Sequence, residues 1–168
     1  PILDVVPDHP RLADLRRLEE MLLCDWTARW EPVEDAYGYE AITLLFVLMW
    51  FEESGRDELV RSAPMAASLE RLLATRSNDG SGVVFGDWRP TDRVPGHYLA
   101  IFERVASLLG DGRYRWVADR LWRTWRGRLD RGAEAGPESL FGLAFAARWA
   151  DARVAPVPPS TGSTVVRR

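Results

Sequence analysis

The chain of 168 residues has no lysine: all 22 of its basic residues are arginine, against 25 acidic ones. The net charge of −3 lacks the basic excess with which nucleic-acid binders track phosphates, so no nucleic-acid partner is expected. Cysteine is nearly missing too. Cys24 stands alone, which excludes an intrachain disulfide framework and any cysteine-based zinc site. The two histidines, His9 and His97, are far from each other in sequence and follow no ligand spacing, so neither a metal nor another cofactor is expected. The longest apolar run, residues 41–51, falls short of the 18 or so residues of a spanning helix, so no membrane partner is expected. No Gly-x-Ser-x-Gly elbow, phosphate loop or paired acidic prenyl-diphosphate motif is present. Gly80, Gly82 and Gly86 approach a dinucleotide fingerprint, but their spacing is one residue too long and no strand–turn–helix surrounds them.

What the chain has in surplus is tryptophan, eight in all, with apolar residues at 46% and charged ones at 28%. That balance is globular, and it suits a large aromatic core, a sugar-stacking cleft, or both. Starting at Pro1 without an initiator methionine, the chain reads as a piece of a longer protein, and cytoplasmic and secreted bacterial locations both stay open. Two parts are expected: a helical domain over 1–153 and a proline-rich linker or tail over 154–168.

The hydrophobic period is helical almost throughout. Residues 11–24 place Leu12, Leu15, Leu18 and Leu22 on one face. Residues 36–53 are apolar nearly all round, which demands burial between neighbours, and Ser54-Gly55 ends them. Pro64 divides the next stretch into a short turn over 57–61 and a helix with Met65, Leu69, Leu72 and Leu73 inward. After the irregular stretch 77–95, a second apolar helix spans 96–109. An amphipathic helix over 113–128 turns Tyr114, Val117, Ala118, Leu121, Trp122 and Trp125 inward and its arginines outward. A last apolar helix starts at Pro137. The only strand candidate is Val83-Val84-Phe85. An aromatic-led apolar helix, a glycine turn with an acidic residue, Gly-Arg and an amphipathic helix occur twice, from Tyr39 and from Tyr98. The fold class is therefore all-α, built from antiparallel helical hairpins. The apolar helices starting near Ala36, Gly96 and Glu138 should form an inner layer, buried more deeply than their partners.

In such an array the connections entering the inner helices lie at one end, and these are the long, aromatic and acidic ones. The first carries Trp26, Trp30, Glu31, Glu34, Asp35, Tyr37 and Tyr39. Aromatic faces stack on sugar rings, and carboxylates hold hydroxyls or move protons. Glu34 or Asp35 also suits a helix cap. The second connection carries Asn78 and Asp79 in a turn and Asp87 beside Trp88 and Arg89; Asp87 serves either as a reactive carboxylate or as an acceptor for loop N–H groups. His97 opens the second inner helix, where the dipole favours its neutral form.

Three of these segments resemble part of the α/α-toroid domain of carbohydrate-active enzymes, the six-hairpin glycosidases and heparinase II/III-like polysaccharide lyases. They are Glu34-Asp35-Ala36-Tyr37-Gly38-Tyr39, then Asp79-Gly80 with Phe85-Gly86-Asp87-Trp88, then Pro95-Gly96-His97-Tyr98. The resemblance covers roughly residues 26–163 and implies about half of a toroid, the remaining hairpins lying upstream and a β-rich domain downstream in the same polypeptide. It further implies a poly- or oligosaccharide substrate. Glu34, Asp35, Asp87 and His97 are the catalytic candidates; Trp30, Tyr39, Asn78, Trp88, Arg89 and Tyr98 are the substrate-binding ones. In a hydrolase, Glu34 or Asp35 would pair with Asp87 as acid and base or nucleophile. In a lyase, Tyr37, Tyr39, His97 or Tyr98 would take the proton, and Asn78 or Arg89 would neutralise a uronate carboxylate. The alternative is a non-catalytic helical scaffold or interaction domain whose aromatics are core.

Overall fold

The computed structural model of the chain describes residues 10–29, 37–74, 95–132 and 136–159. Among these residues the fold is all-α, without a strand. The helices are α1 (Leu12–Arg29), α2 (Tyr37–Ser54), α3 (Ala63–Ala74), α4 (Pro95–Leu109), α5 (Gly112–Leu129) and α6 (Pro137–Trp149), with a 3-10 turn over Asp57–Arg61 ahead of α3. The strand candidate Val83-Val84-Phe85 lies outside the described residues.

The punctuation in the sequence sets these boundaries. Gly55 takes φ +68°, and α2 closes on paired bonds from Gly55 N–H to the Glu52 carbonyl at 3.1 Å and from Arg56 N–H to the Phe51 carbonyl at 2.8 Å. This is the glycine-dependent helix stop, in which a left-handed residue lets two terminal carbonyls find donors. Gly110, at φ +66°, ends α4. Asp111 then caps α5, its carboxylate accepting the Arg113 N–H at 2.9 Å. Pro137 sits in the first turn of α6, where its missing N–H costs nothing.

Helix α4 is the centre. Every residue from 96 to 106 is buried, and α2, α5 and α6 all pack on it. The contact with α6 is backbone to backbone. A Cβ at Gly142 would overlap the main chain of Gly96 and His97, and one at Gly96 would overlap the main chain of Ser139. Ala100 and Ala146, both buried, lie a turn further along each helix. On the other side α4 and α5 form an antiparallel pair across the Gly110–Asp111 turn, with Phe102 and Tyr114 rings 6.2 Å apart.

The contacts of α6 show which way the apolar helices run. Phe141, early in α6, lies 6.3 Å from Phe46 of α2 and 6.3 Å from His97 of α4 between ring centroids. Trp149, at its end, donates its indole N–H to Glu52 of α2 at 3.0 Å and lies 5.3 Å beneath the guanidinium of Arg104 of α4. Contacts advance together along all three helices, so α2, α4 and α6 share one direction.

The expected layering holds for α4, holds only in part for α2, where Phe46 is 55% exposed, and fails for α6. Leu140 is 52% and Phe141 40% exposed, whereas the partner helix α5 buries Tyr114, Val117, Ala118, Leu121 and Trp125. Glycine and alanine let α6 lie so close to α4 that a narrow stripe makes the contact, leaving Leu140 and Phe141 outside while Trp149 at its end stays buried. Helix α1 differs in the same sense: Leu15, Leu18 and Met21 are exposed rather than turned into the core. So does Trp122, 38% exposed, whose ring stands edge-on to the buried Trp125 at 6.1 Å. The described start of the proline-rich tail is docked on α5, Val157 N–H donating to the Gly112 carbonyl at 2.8 Å.

Gly142→Val should lower folding stability by about 2 kcal/mol or more, because the overlapped atoms are backbone and cannot yield. Gly127→Ala in α5, where the added Cβ meets only an Arg131 nitrogen at 3.5 Å, should raise it by about 0.5–1 kcal/mol through helix propensity. Urea unfolding of both variants checks the sign of each.

Candidate functional site

Glu34, Asp35 and Asp87, with Trp30, Asn78, Trp88 and Arg89, lie outside the described residues. The structure brings three of the remaining candidates to the starts of helices. Tyr39 stands in the first turn of α2, and His97 and Tyr98 stand in the first turn of α4. His97 is 6% and Tyr98 2% exposed, and the His97 ring meets Phe141 edge-on at an interplanar angle of 83°. Both side chains are thus part of the packing between α4 and its neighbours. Their burial follows from Gly96, which draws α6 over the start of α4.

The common direction of α2, α4 and α6 fixes one further point. The N-terminal ends of these three helices therefore lie at the same end of the layer. That is the end at which Tyr39 and His97 stand. Helix starts there point the positive ends of their dipoles the same way, which favours negative charge nearby.

The most elaborate polar constellation among the described residues lies at the other end, beside a turn the sequence presents as plain. Glu52 Oε2 accepts the Trp149 indole N–H at 3.0 Å and lies 3.3 Å from Arg148 Nη2. Its Oε1 lies 3.7 Å from Arg104 Nη1. Arg104 Nη2 donates to both carboxylate oxygens of Asp57, at 2.7 and 2.8 Å. Arg104 is 8% exposed, and its Nε has no hydrogen-bond partner. The sequence signal was the pair Glu103-Arg104, two charges within an otherwise apolar helical run. Chemically the group is closed: both carboxylates are held by guanidinium or indole donors, and a guanidinium has no lone pair with which to act as a base. It ties α2, the 3-10 turn, α4 and α6 together.

Arg104→Met should cost about 1–3 kcal/mol, because Asp57 loses its guanidinium donor while Glu52 keeps only Arg148 and Trp149. Asp57→Asn should cost less, about 0.5–1 kcal/mol, because Asp57 is 42% exposed and water already screens it. Thermal unfolding at neutral pH measures both.

Among the described residues no group of three or more His, Cys, Asp or Glu side chains is placed to hold a metal ion. No helix among them is long and apolar enough to cross a membrane. No family model, curated protein or solved structure matches the chain.

Proposed function

We propose that the chain is part of a carbohydrate-active enzyme, a glycoside hydrolase or polysaccharide lyase, engaging a poly- or oligosaccharide at the N-terminal end of α2, α4 and α6. In this reading the helices are about half of an α/α toroid, and the rest of the ring belongs to the same polypeptide. The observation that carries it is the common direction of the three helices. It supports a reading in which the connections bearing Glu34, Asp35, Asp87 and Trp88, which lie outside the described residues, gather at one end the mixture of proton-transfer groups and flat apolar faces that sugar chemistry uses. His97 and Tyr98 then shape the floor of the site from within α4, and the proton-transfer roles rest on the loop carboxylates.

Burial of His97 and Tyr98 favours a second reading, a non-catalytic helical scaffold or interaction domain. Neutral and acidic polysaccharides, offered to the full-length protein, separate the two. Hydrolysis yields new reducing ends, and elimination yields an ultraviolet-absorbing unsaturated product. Asp87→Asn should lower turnover by about 10²-fold or more if that carboxylate does acid–base work, with little effect on unfolding. Unchanged turnover would remove Asp87 from the mechanism. A complete absence of turnover and binding across the panel would leave the scaffold reading.

A further inference from the structure

We propose that Glu103, Arg115 and Asp119 form a proton-operated latch between α4 and α5, tight when Glu103 is neutral and loosened when it is ionised. The argument begins with a mismatch of charge. Arg115 Nη1 donates to Glu103 Oε2 at 2.8 Å, and the Nε of the same residue donates to Asp119 Oδ1 at 3.1 Å. One guanidinium therefore serves two carboxylates. The side chains are only 9%, 21% and 28% exposed for Glu103, Arg115 and Asp119. With both acids ionised, the group carries a net negative charge inside the seam of an antiparallel helix pair. Water cannot easily dilute that charge, and among the described residues no second cation is bonded to Glu103 or Asp119.

The remaining charges around α4 are committed elsewhere. Glu52 of α2 and Asp57 of the 3-10 turn are engaged with Arg104, and Arg148 of α6 with Glu52. Arg61 donates to the Leu108 carbonyl at 2.7 Å. Arg113 of α5 is held by Asp111 and by Glu70 of α3. In the segment after α6, Asp151 feels the charge of Arg115 but is itself bonded by Arg153. The groups that act on Glu103 are thus Arg115 and Asp119. Burial pushes the Glu103 carboxyl up to about 7, the attraction of Arg115 opposing the rise and the repulsion of Asp119 adding to it.

The direction of the response follows. The folded chain holds a proton on Glu103 at pH values where the unfolded chain has released it. Stability is therefore greatest below the ordinary carboxyl range near 4.5, falls as pH rises through about 7, and levels off above. Below the transition Arg115 is balanced by Asp119 alone and the seam is neutral. Above it the seam carries the excess charge. Its sensitive range runs from about 4.5 up to about 7, reaching well above the range in which an ordinary carboxylate titrates.

Denaturant unfolding of the full-length protein at pH 5 and pH 8.5, for wild type and Glu103→Gln, tests the latch. The wild-type folding constant should be roughly 70-fold smaller at the higher pH. The Gln variant should vary by less than about 3-fold from this source. Amide exchange over residues 115–121, corrected for intrinsic rates, should quicken between pH 5 and about pH 7 in wild type, level off above, and stay unchanged in the variant. Asp119→Asn should move the wild-type midpoint to lower pH, and it supplies the test if the Gln variant does not fold. Parallel pH curves for wild type and Glu103→Gln, or an unmoved midpoint in Asp119→Asn, would overturn the proposal.

Discussion

The backbone contact between α4 and α6 at Gly96, Ser139 and Gly142 is the constraint from which much of this structure follows. Helices meeting at side chains lie 8–10 Å apart; removing the Cβ atoms lets this pair approach more closely. The approach buries the start of α4, sets His97 against Phe141, and leaves the outer face of α6 uncovered. It also brings the end of α6 within reach of α2, so that Trp149 can bond Glu52. A larger residue at either glycine would disturb each of these together.

Helix α4 is central and yet carries two adjacent charges, Glu103 and Arg104, both buried. Successive residues on a helix point about 100° apart, so the two address different neighbours. Glu103 turns to α5 and meets Arg115; Arg104 turns to α2, the 3-10 turn and α6. The apolar contacts around them are interchangeable to a degree, since hydrophobic burial is non-directional. Ion pairs of this kind contribute modestly to net stability, but their loss on one side is costly, which discriminates against misplaced helices. The pairs differ in balance. Arg104 neutralises partners that reach water, whereas Glu103 lies deeper and is only partly compensated, which is why one side of α4 answers to protons.

Helix positions were legible because their signals are local. Pro64 and Pro137, the glycines at 55 and 110, and the long apolar stretches each act within a turn or two of chain. The even apolar content of α2 and α4 also announced their burial. The same logic misjudged α1, Trp122 and α6, because a face that is apolar in sequence is buried only if a neighbour is there to cover it. Leu15, Leu18 and Met21 obey the helical period and still face outward. Of the catalytic and substrate-binding candidates, only Tyr39, His97 and Tyr98 fall among the described residues, and the burial of His97 and Tyr98 was decided by the packing of α6 on α4.

The sequence by itself determined the all-α class, most boundaries of the helices and the excess of arginine on α5, since these depend on backbone propensity, capping and period. The end of α1, expected at residue 24, lies instead at Arg29, which puts Trp26 in the helix rather than in the connection after it. Only the tertiary structure decided which carboxylates lose their water and which cations they share. Nothing in Glu103 or Asp119 as letters distinguishes them from Glu70 or Asp130 on exposed surfaces. The difference is made by the helices packed around them, because the energy of a charge depends on the medium and partners that the fold places about it.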